Sequence, residues 1–341
     1  MAAVVAGVSC LSPADACTRA VYFGLENQVV TGRTMDWFSD LGTNLWVFPR
    51  GMKRSSETAT PLTWTSKHGS VVASVYEGGT GDGMNEKGLV ANMLYLAESG
   101  YPEASADDRR PTMAITAWAQ YVLDSCASVT EAVELMKKEE FRMVPVAAPT
   151  GEKGTVHLSV SDPTGDSAIF QYLGGKLSIH HGREYQVMTN SPPFGEQLAL
   201  NAYWKQIGGT TMLPGTNRAS DRFARASFYI NAARQSADPR EAVATVFSVM
   251  RNASVPRGIS TPAQPNISNT IWLTVADQKN KVYYFQSTFS PSAVWVRLNE
   301  VDFKDGSGVR KLQLVGNPDL GGNQTANFKA AEAFEFLVPH D

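Results

Sequence analysis

Apolar runs of strand length dominate the first part of the chain. Thr18 to Phe23 and Val29 to Trp37 flank a turn through Glu26-Asn27, and Asn44 to Phe48, Ser70 to Tyr76 and Gly88 to Leu96 follow, all carrying the Val/Tyr/Thr content of sheet strands. A polar stretch from Ser99 to Arg110 ends at Pro111, which is placed as a first-turn helix residue. Thr112 to Cys126 then puts Ile115, Trp118, Ala119 and Val122 at helical spacing, and Ser128 with Glu131 three residues on forms a capping box that starts a second helix. After a Pro/Gly-rich connection from Pro145 to Gly154, strands are expected at Thr155–Ser161 and Ser167–Leu173, joined by the turn Asp162-Pro163-Thr164-Gly165, and at Lys176–His180 and Tyr185–Thr189. Helical patterns cover Phe194–Ile207, Ser220–Arg234 and Pro239–Met250, and strands return at Thr270–Ala276, Val282–Ser287 and Ala293–Leu298. This order predicts a layered α+β fold, two mainly antiparallel sheets sandwiched by helices. With no internal repeat and no biased linker, one domain is expected over 17–341.

Composition narrows the function classes more than the fold. The 341 residues are 43% hydrophobic and 18% charged, which suits an ordinary globular protein and excludes disordered and fibrous classes. A net charge of −3 provides no field to gather nucleic acid or an anionic membrane, and no apolar run reaches the roughly 20 residues of a membrane span. The histidines His68, His157, His180, His181 and His340 are scattered without ligand spacing, so no metal and no cofactor is expected. Gly78-Gly79-Thr80-Gly81-Asp82-Gly83 lacks the ending of a phosphate-binding loop and reads as a tight turn between strands. The Asn-x-Ser/Thr triplets at Asn252, Asn266 and Asn323 are too short to carry an argument.

Three cysteines, Cys10, Cys17 and Cys126, are too few for a disulfide framework and contain no CxxC pair. Residues 1–16 are small and apolar, lack Lys and Arg, and end in Ala14-Asp15-Ala16, which fits a small-x-small cleavage site. They are read as a leader removed on maturation. A lipid anchor on Cys17 is disfavoured by Pro13 and Asp15, and an Ala-rich first strand or tail is the plain alternative. Cleavage there removes Cys10 and makes Cys17 the first residue. Its α-amino group, near ~7.7–8.0, and its thiol, near ~8.5, then put proton acceptor and nucleophile on one residue. Alternation along the next strand places Thr31, Arg33, Met35 and Trp37 on one face and Gly32, Thr34 and Asp36 on the other. Arg33 and Asp36 can both reach Cys17 only if Asp36 lies at a strand end or a bulge; an ion pair on the sheet is the bland reading. Cys126, inside an amphipathic helix, reads as a small buried apolar residue.

The run Cys17-Thr18-Arg19, followed by Gly32-Arg33-Thr34-Met35-Asp36-Trp37, resembles the start of the choloylglycine hydrolase family, N-terminal-nucleophile amidases that include penicillin V acylases and conjugated bile salt hydrolases. Asp82-Gly83-Met84-Asn85-Glu86-Lys87-Gly88-Leu89, Val187-Met188-Thr189-Asn190-Ser191-Pro192 and Leu213-Pro214-Gly215 before Ser220-Asp221-Arg222-Phe223 agree in family order, so the likeness extends beyond Gln286. It implies a four-layer αββα fold, hydrolysis of a linear C–N amide, and exposure of Cys17 by a signal peptidase or by self-cleavage. Carried over, Cys17 is the nucleophile, Arg33 and Asp36 stand beside it, Asn190 takes the oxyanion-stabilising position, and Arg222 matches the distant arginine, with Arg225 one turn on as its competitor. Tyr95, through its backbone N–H, is the implied second oxyanion donor.

Tyr95 occupies a position where bile salt hydrolases usually carry Asn and penicillin V acylases usually carry Tyr. Together with Trp37 after Asp36, it resembles the Gram-negative, penicillin V acylase-like branch, whose members can also cleave long-chain N-acyl homoserine lactones. The expectation is an exported, periplasmic cysteine amidase acting on a small-molecule amide with an apolar acyl half, with Trp37 and Tyr95 lining the acyl site. The alternatives are a conjugated bile salt hydrolase and a non-catalytic exported binding protein of the same fold. The resemblance also implies a homotetramer.

Overall fold

The computed structural model of the chain describes residues 17–261 and 268–339. The expected leader with Cys10, the triplet at Asn266, and His340 lie outside the described residues. In chain order the elements begin with β1 (Thr18–Phe23), β2 (Val29–Trp37), β3 (Leu45–Phe48), β4 (Lys53–Ser55), β5 (Thr63–Thr65), β6 (Ser70–Val75), β7 (Gly79–Asn85), β8 (Val90–Tyr95) and β9 (Thr112–Ala114). Helices α1 (Ile115–Ser125) and α2 (Val129–Lys137) follow, then β10 (Arg142–Val144), β11 (Val156–Ser161), β12 (Ser167–Leu173), β13 (Lys176–His181) and β14 (Val187–Met188). The remainder comprises α3 (Phe194–Ile207), α4 (Ala219–Ala232), α5 (Pro239–Ala253), β15 (Asn269–Asp277), β16 (Val282–Ser287), β17 (Val294–Arg297), β18 (Arg310–Leu312), β19 (Gly322–Asn323) and β20 (Lys329–Ala330).

The strands assemble into a seven-stranded sheet, β14-β1-β2-β15-β16-β17-β19, and a nine-stranded sheet, β13-β12-β11-β8-β7-β6-β3-β18-β20, with two small accessory ladders. Pairing is antiparallel except for β17 with β19 and, in an accessory ladder, β9 with β10. Helices α4 and α5 cover the seven-stranded sheet at β1, β2 and β15, while α1 and α2 cover the nine-stranded one. The expected αββα layering is the observed one.

Because each sheet is covered on both faces, its central strands bury successive residues, not only alternate ones. Val71 and Ala73 of β6 join the core between the sheets, and Val72 between them joins the core under α1. Arg19 of β1 ties the sheets together: its guanidinium donates to Val160 O and Ser167 Oγ of the nine-stranded sheet and to Tyr185 O beside β14. Burial brings its pKa down to about 9.

Two readings of the sequence are corrected. The glycine cluster is not a turn. Residues 79–85 form β7, a wholly buried strand, and the chain reverses before it, at Tyr76 to Gly78. Its glycines serve close packing: a Cβ at Gly83 would lie 2.7 Å from Val72 Cγ1 and 3.1 Å from Leu123 Cδ1 of α1. Pro111 does not open a helix either. Residues 112–114 form β9, which pairs in parallel with β10, and the helix starts at Ile115. Helical spacing from Ile115 onward was sound, but the three residues before it find a strand partner 30 residues later. The capping signal at Ser128 holds, with its Oγ accepting from Glu131 N at 3.2 Å.

Candidate active site

Cys17 immediately precedes β1, which lies between β14 and β2. The pairing Thr18↔Thr34 continues to place Cys17 level with the end of β2, where Met35 and Asp36 lie. The thiol therefore meets β2 through backbone and side chains at once. Asp36 N lies 3.5 Å from Cys17 Sγ as a donor, Arg33 Nη2 lies 3.9 Å away, and Met35 Sδ 3.8 Å.

The strand irregularity expected near Asp36 exists, but in the partner strand. The β2–β15 register shifts between Thr270 and Trp272, which pair with Asp36 and Met35, so Ile271 is the extra residue. Asp36 presents its backbone to the thiol, while its carboxylate is held by other partners. Its Oδ1 accepts from Thr270 Oγ1, its Oδ2 accepts from Thr34 Oγ1 at 3.3 Å, and Arg222 Nη1 stands 3.8 Å from Oδ2. Arg33 pairs instead with Asp82 at 3.7 Å, donates to Met93 O at 2.7 Å, and lies 4.5 Å from the Trp272 ring centroid. The bland reading of a direct Arg33–Asp36 pair is thus replaced by two separate ion pairs, one on each side of Cys17.

The nitrogen side of Cys17 is held by residues that are distant in sequence. Asn190, just after β14, accepts from Cys17 N through Oδ1 at 2.5 Å and donates through Nδ2 to Tyr95 O at 2.7 Å. Arg222 of α4 donates to the same Oδ1 at 2.9 Å and to Cys17 O at 2.6 Å. Two donors on one end and a carbonyl on the other leave only one sensible orientation for the Asn190 amide. Arg225 plays no part in this cluster; it donates to Pro214 O and Thr216 O and braces the loop before α4. Of the two arginines, Arg222 is the one that reaches Cys17.

Tyr95 ends β8. Leu96 N donates to Thr155 O, so the alternation of the ladder turns the Tyr95 N–H and C=O to the opposite edge, the one on which Asn190 meets the carbonyl. The Tyr95 ring lies 5.7 Å from Trp37, whose Nε1 donates to Tyr76 Oη at 3.0 Å. Both aromatics line a cavity of about 120 Å³ beside Cys17 that is walled by Met35, Leu41, Val75, Ile115 and Leu337. A larger groove of about 300 Å³, beside Trp272 and Phe285, does not include Cys17.

Burial pushes the Cys17 thiol above its ordinary value; Arg33 is the largest opposing influence, the nearby Asp36 carboxylate adds to the rise, and the Asp36 backbone and Arg222 pull it down. Proximity of Arg33 therefore does not outweigh burial in holding the thiol as a thiolate. Burial also lifts Asp36 to about 6, against Arg222, Thr270, Arg33 and Thr34. His157 is buried, brought down to about 3, and joined to Gln171 through Nδ1. Cys126 is buried, with its thiol pushed up to about 12. Among the described residues no group of three or more His, Cys, Asp and Glu side chains is placed to hold a metal, and no helix is long and apolar enough to cross a membrane.

Two participants were not singled out from the sequence. Asp82, fixed by Tyr283 Oη and by Asn92 Nδ2 at 2.7 Å, is the counter-ion that steadies Arg33. Its signal was an acidic residue within a strand of glycines, obscured once those glycines were read as a turn. Thr270 fixes Asp36 across the bulge, and nothing local in the sequence marks it.

Residues 17–311 match the family described as linear amide C–N hydrolases, choloylglycine hydrolase family. The chain is 48% identical over 350 residues to a penicillin V acylase of Pectobacterium atrosepticum, covering 94% of this chain and 92% of that one. The solved structure of penicillin V acylase from Agrobacterium tumefaciens superposes with a TM-score of 0.87 at 56% identity, covering 94% of this chain and 99% of that one. A mutant of the conjugated bile acid hydrolase from Clostridium perfringens shares the fold, with a TM-score of 0.73 at 22% identity, covering 87% of this chain and 96% of that one.

Proposed function

The chain belongs to the choloylglycine hydrolase family of linear amide C–N hydrolases, and from that premise we propose that Cys17, once it is the first residue, cleaves acyl amides whose apolar acyl half occupies the cavity beside Trp37 and Tyr95. The observation that carries this reading is the two-sidedness of Cys17. Cys17 lines an apolar cavity, and its nitrogen and carbonyl are held by Asn190 and Arg222.

In the proposed reaction Sγ attacks the amide carbonyl carbon while the thiol proton passes to the Cys17 α-amine. The oxyanion is received by the second N–H of Asn190 Nδ2 and the Tyr95 N–H; a donor of this kind contributes about 3 kcal/mol to the transition state. The C–N bond then breaks, the amine leaves with the proton returned by the α-ammonium, and a thioester remains on Sγ. Water attacks the thioester, giving its proton to the amine; the C–S bond then breaks, Sγ takes the proton back from the α-ammonium, and the carboxylic acid leaves. Arg222 and the Asp36 carboxylate position the N-terminal residue; Arg33 faces the sulfur.

Penicillin V, with a phenoxyacetyl half, and long-chain N-acyl homoserine lactones are the proposed substrates. The likeness to penicillin V acylases supports the first. The cavity beside Cys17 is lined chiefly by apolar side chains, which suits an apolar acyl half. Removal of residues 1–16, export to the periplasm and assembly as a homotetramer complete the proposal; the small-x-small ending at Ala16 supports the first two.

Intact mass and a substrate panel test this reading together. The mature chain is expected to start at Cys17, and Cys17→Ala to abolish turnover of penicillin V. Retention of residues 1–16 in active enzyme, or full activity of C17A, would remove Cys17 from the role. Glycocholate surpassing both penicillin V and a long-chain acyl homoserine lactone in kcat/KM would move the substrate to the bile salt class.

A further inference from the structure

The cavity wall includes one residue from the C-terminal tail of the chain, Leu337. After β20 the chain runs through residues 331–339 without regular structure, yet it is fastened along its length. Phe334 packs edge-on against Trp46 and Phe48, with ring centroids 5.3 and 5.4 Å apart, and Phe336 lies 6.3 Å from Trp64. These anchors bring Leu337 to the start of β7 and α1, where both of its backbone polar groups are used. Its N–H donates to Gly78 O at 2.7 Å, and its carbonyl accepts from Thr116 Oγ1 at 2.6 Å. A Cβ at Gly78 would fall 2.4 Å from Leu337 Cγ, so the glycine is what admits the leucine.

Leu337 lines the same cavity as Cys17. Gly81, whose carbonyl faces Arg33, marks the reacting end, whereas Leu337 sits against Gly78, in the turn that opens β7, three residues earlier in the chain. We propose that Leu337 is the end wall of the acyl site, so that the C-terminal tail determines how long an acyl group the enzyme accepts. This inference rests on the reading that the acyl half occupies this cavity. A leucine presented by two backbone hydrogen bonds and two aromatic anchors is a fixed stop, and its length can be changed without disturbing Cys17, Asn190 or Arg222.

The test compares the full chain with Leu337→Ala and Leu337→Phe on straight-chain N-acyl homoserine lactones of increasing acyl length. Truncation of the wall is expected to raise the long-to-short ratio of kcat/KM roughly tenfold, mainly through KM, and enlargement to lower it by a similar factor. Opposite shifts from the two variants cannot come from misfolding. Profiles that keep the wild-type shape, scaled by one factor, would overturn the end-wall assignment. Binding of the corresponding straight-chain carboxylic acids, followed by tryptophan fluorescence in a Cys17→Ala background, reads the wall without turnover. A shifted binding profile, where the chain with Cys17 intact hydrolyses neither the series nor penicillin V, would retain the wall and reject the amidase reading; an unshifted one would reject the wall.

Discussion

At the scale of single residues, the site divides the charges around Cys17 into two pairs that do not share a side. Arg33, paired with Asp82, lies near the sulfur, and Arg222, paired with Asp36, donates to the carbonyl. Asp36 is the titrating member in the range where an enzyme works. Burial raises its pKa to about 6, so it is mostly a carboxylate at pH 7 and mostly protonated at pH 5. If the carboxylate is the positioning form, kcat/KM for penicillin V falls as the pH drops through about 6; a profile flat to pH 4.5 would show that the neutral acid serves equally. Cys17, Arg33, Asp36, Asn190 and Arg222 were legible because each lies in a short motif with several fixed neighbours. Thr270 was not, because its role depends on a bulge that only the paired strands reveal. Asn190 shows a second limit: its position was legible, but not the grip of its Oδ1 on Cys17 N, which requires three segments to meet.

At the scale of elements, the periodic patterns located most strands and helices, and the errors share a physical cause. β7 was missed because four of its seven residues are Gly or Thr, types that signal turns in isolation but here let α1 approach the sheet. β9 was absorbed into α1 because its partner, β10, lies beyond two helices. The strands β18, β19 and β20 are two or three residues long, too short for any alternation to register. Close packing also makes a prediction for β2. A Cβ at Gly32 would stand 2.4 Å from Val246 Cγ1 and 2.7 Å from Met250 Cγ of α5. Gly32→Ala is expected to destabilise the protein by about 1–3 kcal/mol through overpacking, read from the urea midpoint, and Val246→Ala in the same chain to recover part of that loss. An unchanged midpoint for Gly32→Ala would mean that α5 shifts freely on the sheet.

At the scale of the whole molecule, the helical layer over the seven-stranded sheet leaves large apolar side chains in solvent. Leu200 and Tyr203 of α3, together with Met212 just beyond it, are 46%, 61% and 58% exposed. The proposed homotetramer has reason to cover them. Light scattering is expected to find four chains in the wild type and fewer in Tyr203→Glu; a wild type that is monomeric at micromolar concentration would dismiss the assembly. The layered order itself was legible from the succession of strands, helices and strands, whereas the crossing of the tail to the cavity was not, since nothing within residues 331–339 names its distant partners. The two-sidedness of Cys17 bears on how such a protein changes over generations. Residues that line the cavity come from β2, β6, β7, β8, α1 and the tail, while those that hold the nitrogen and carbonyl come from the segment after β14 and from α4. Lineages can therefore drift in diet, one wall residue at a time, while inheriting the reaction intact.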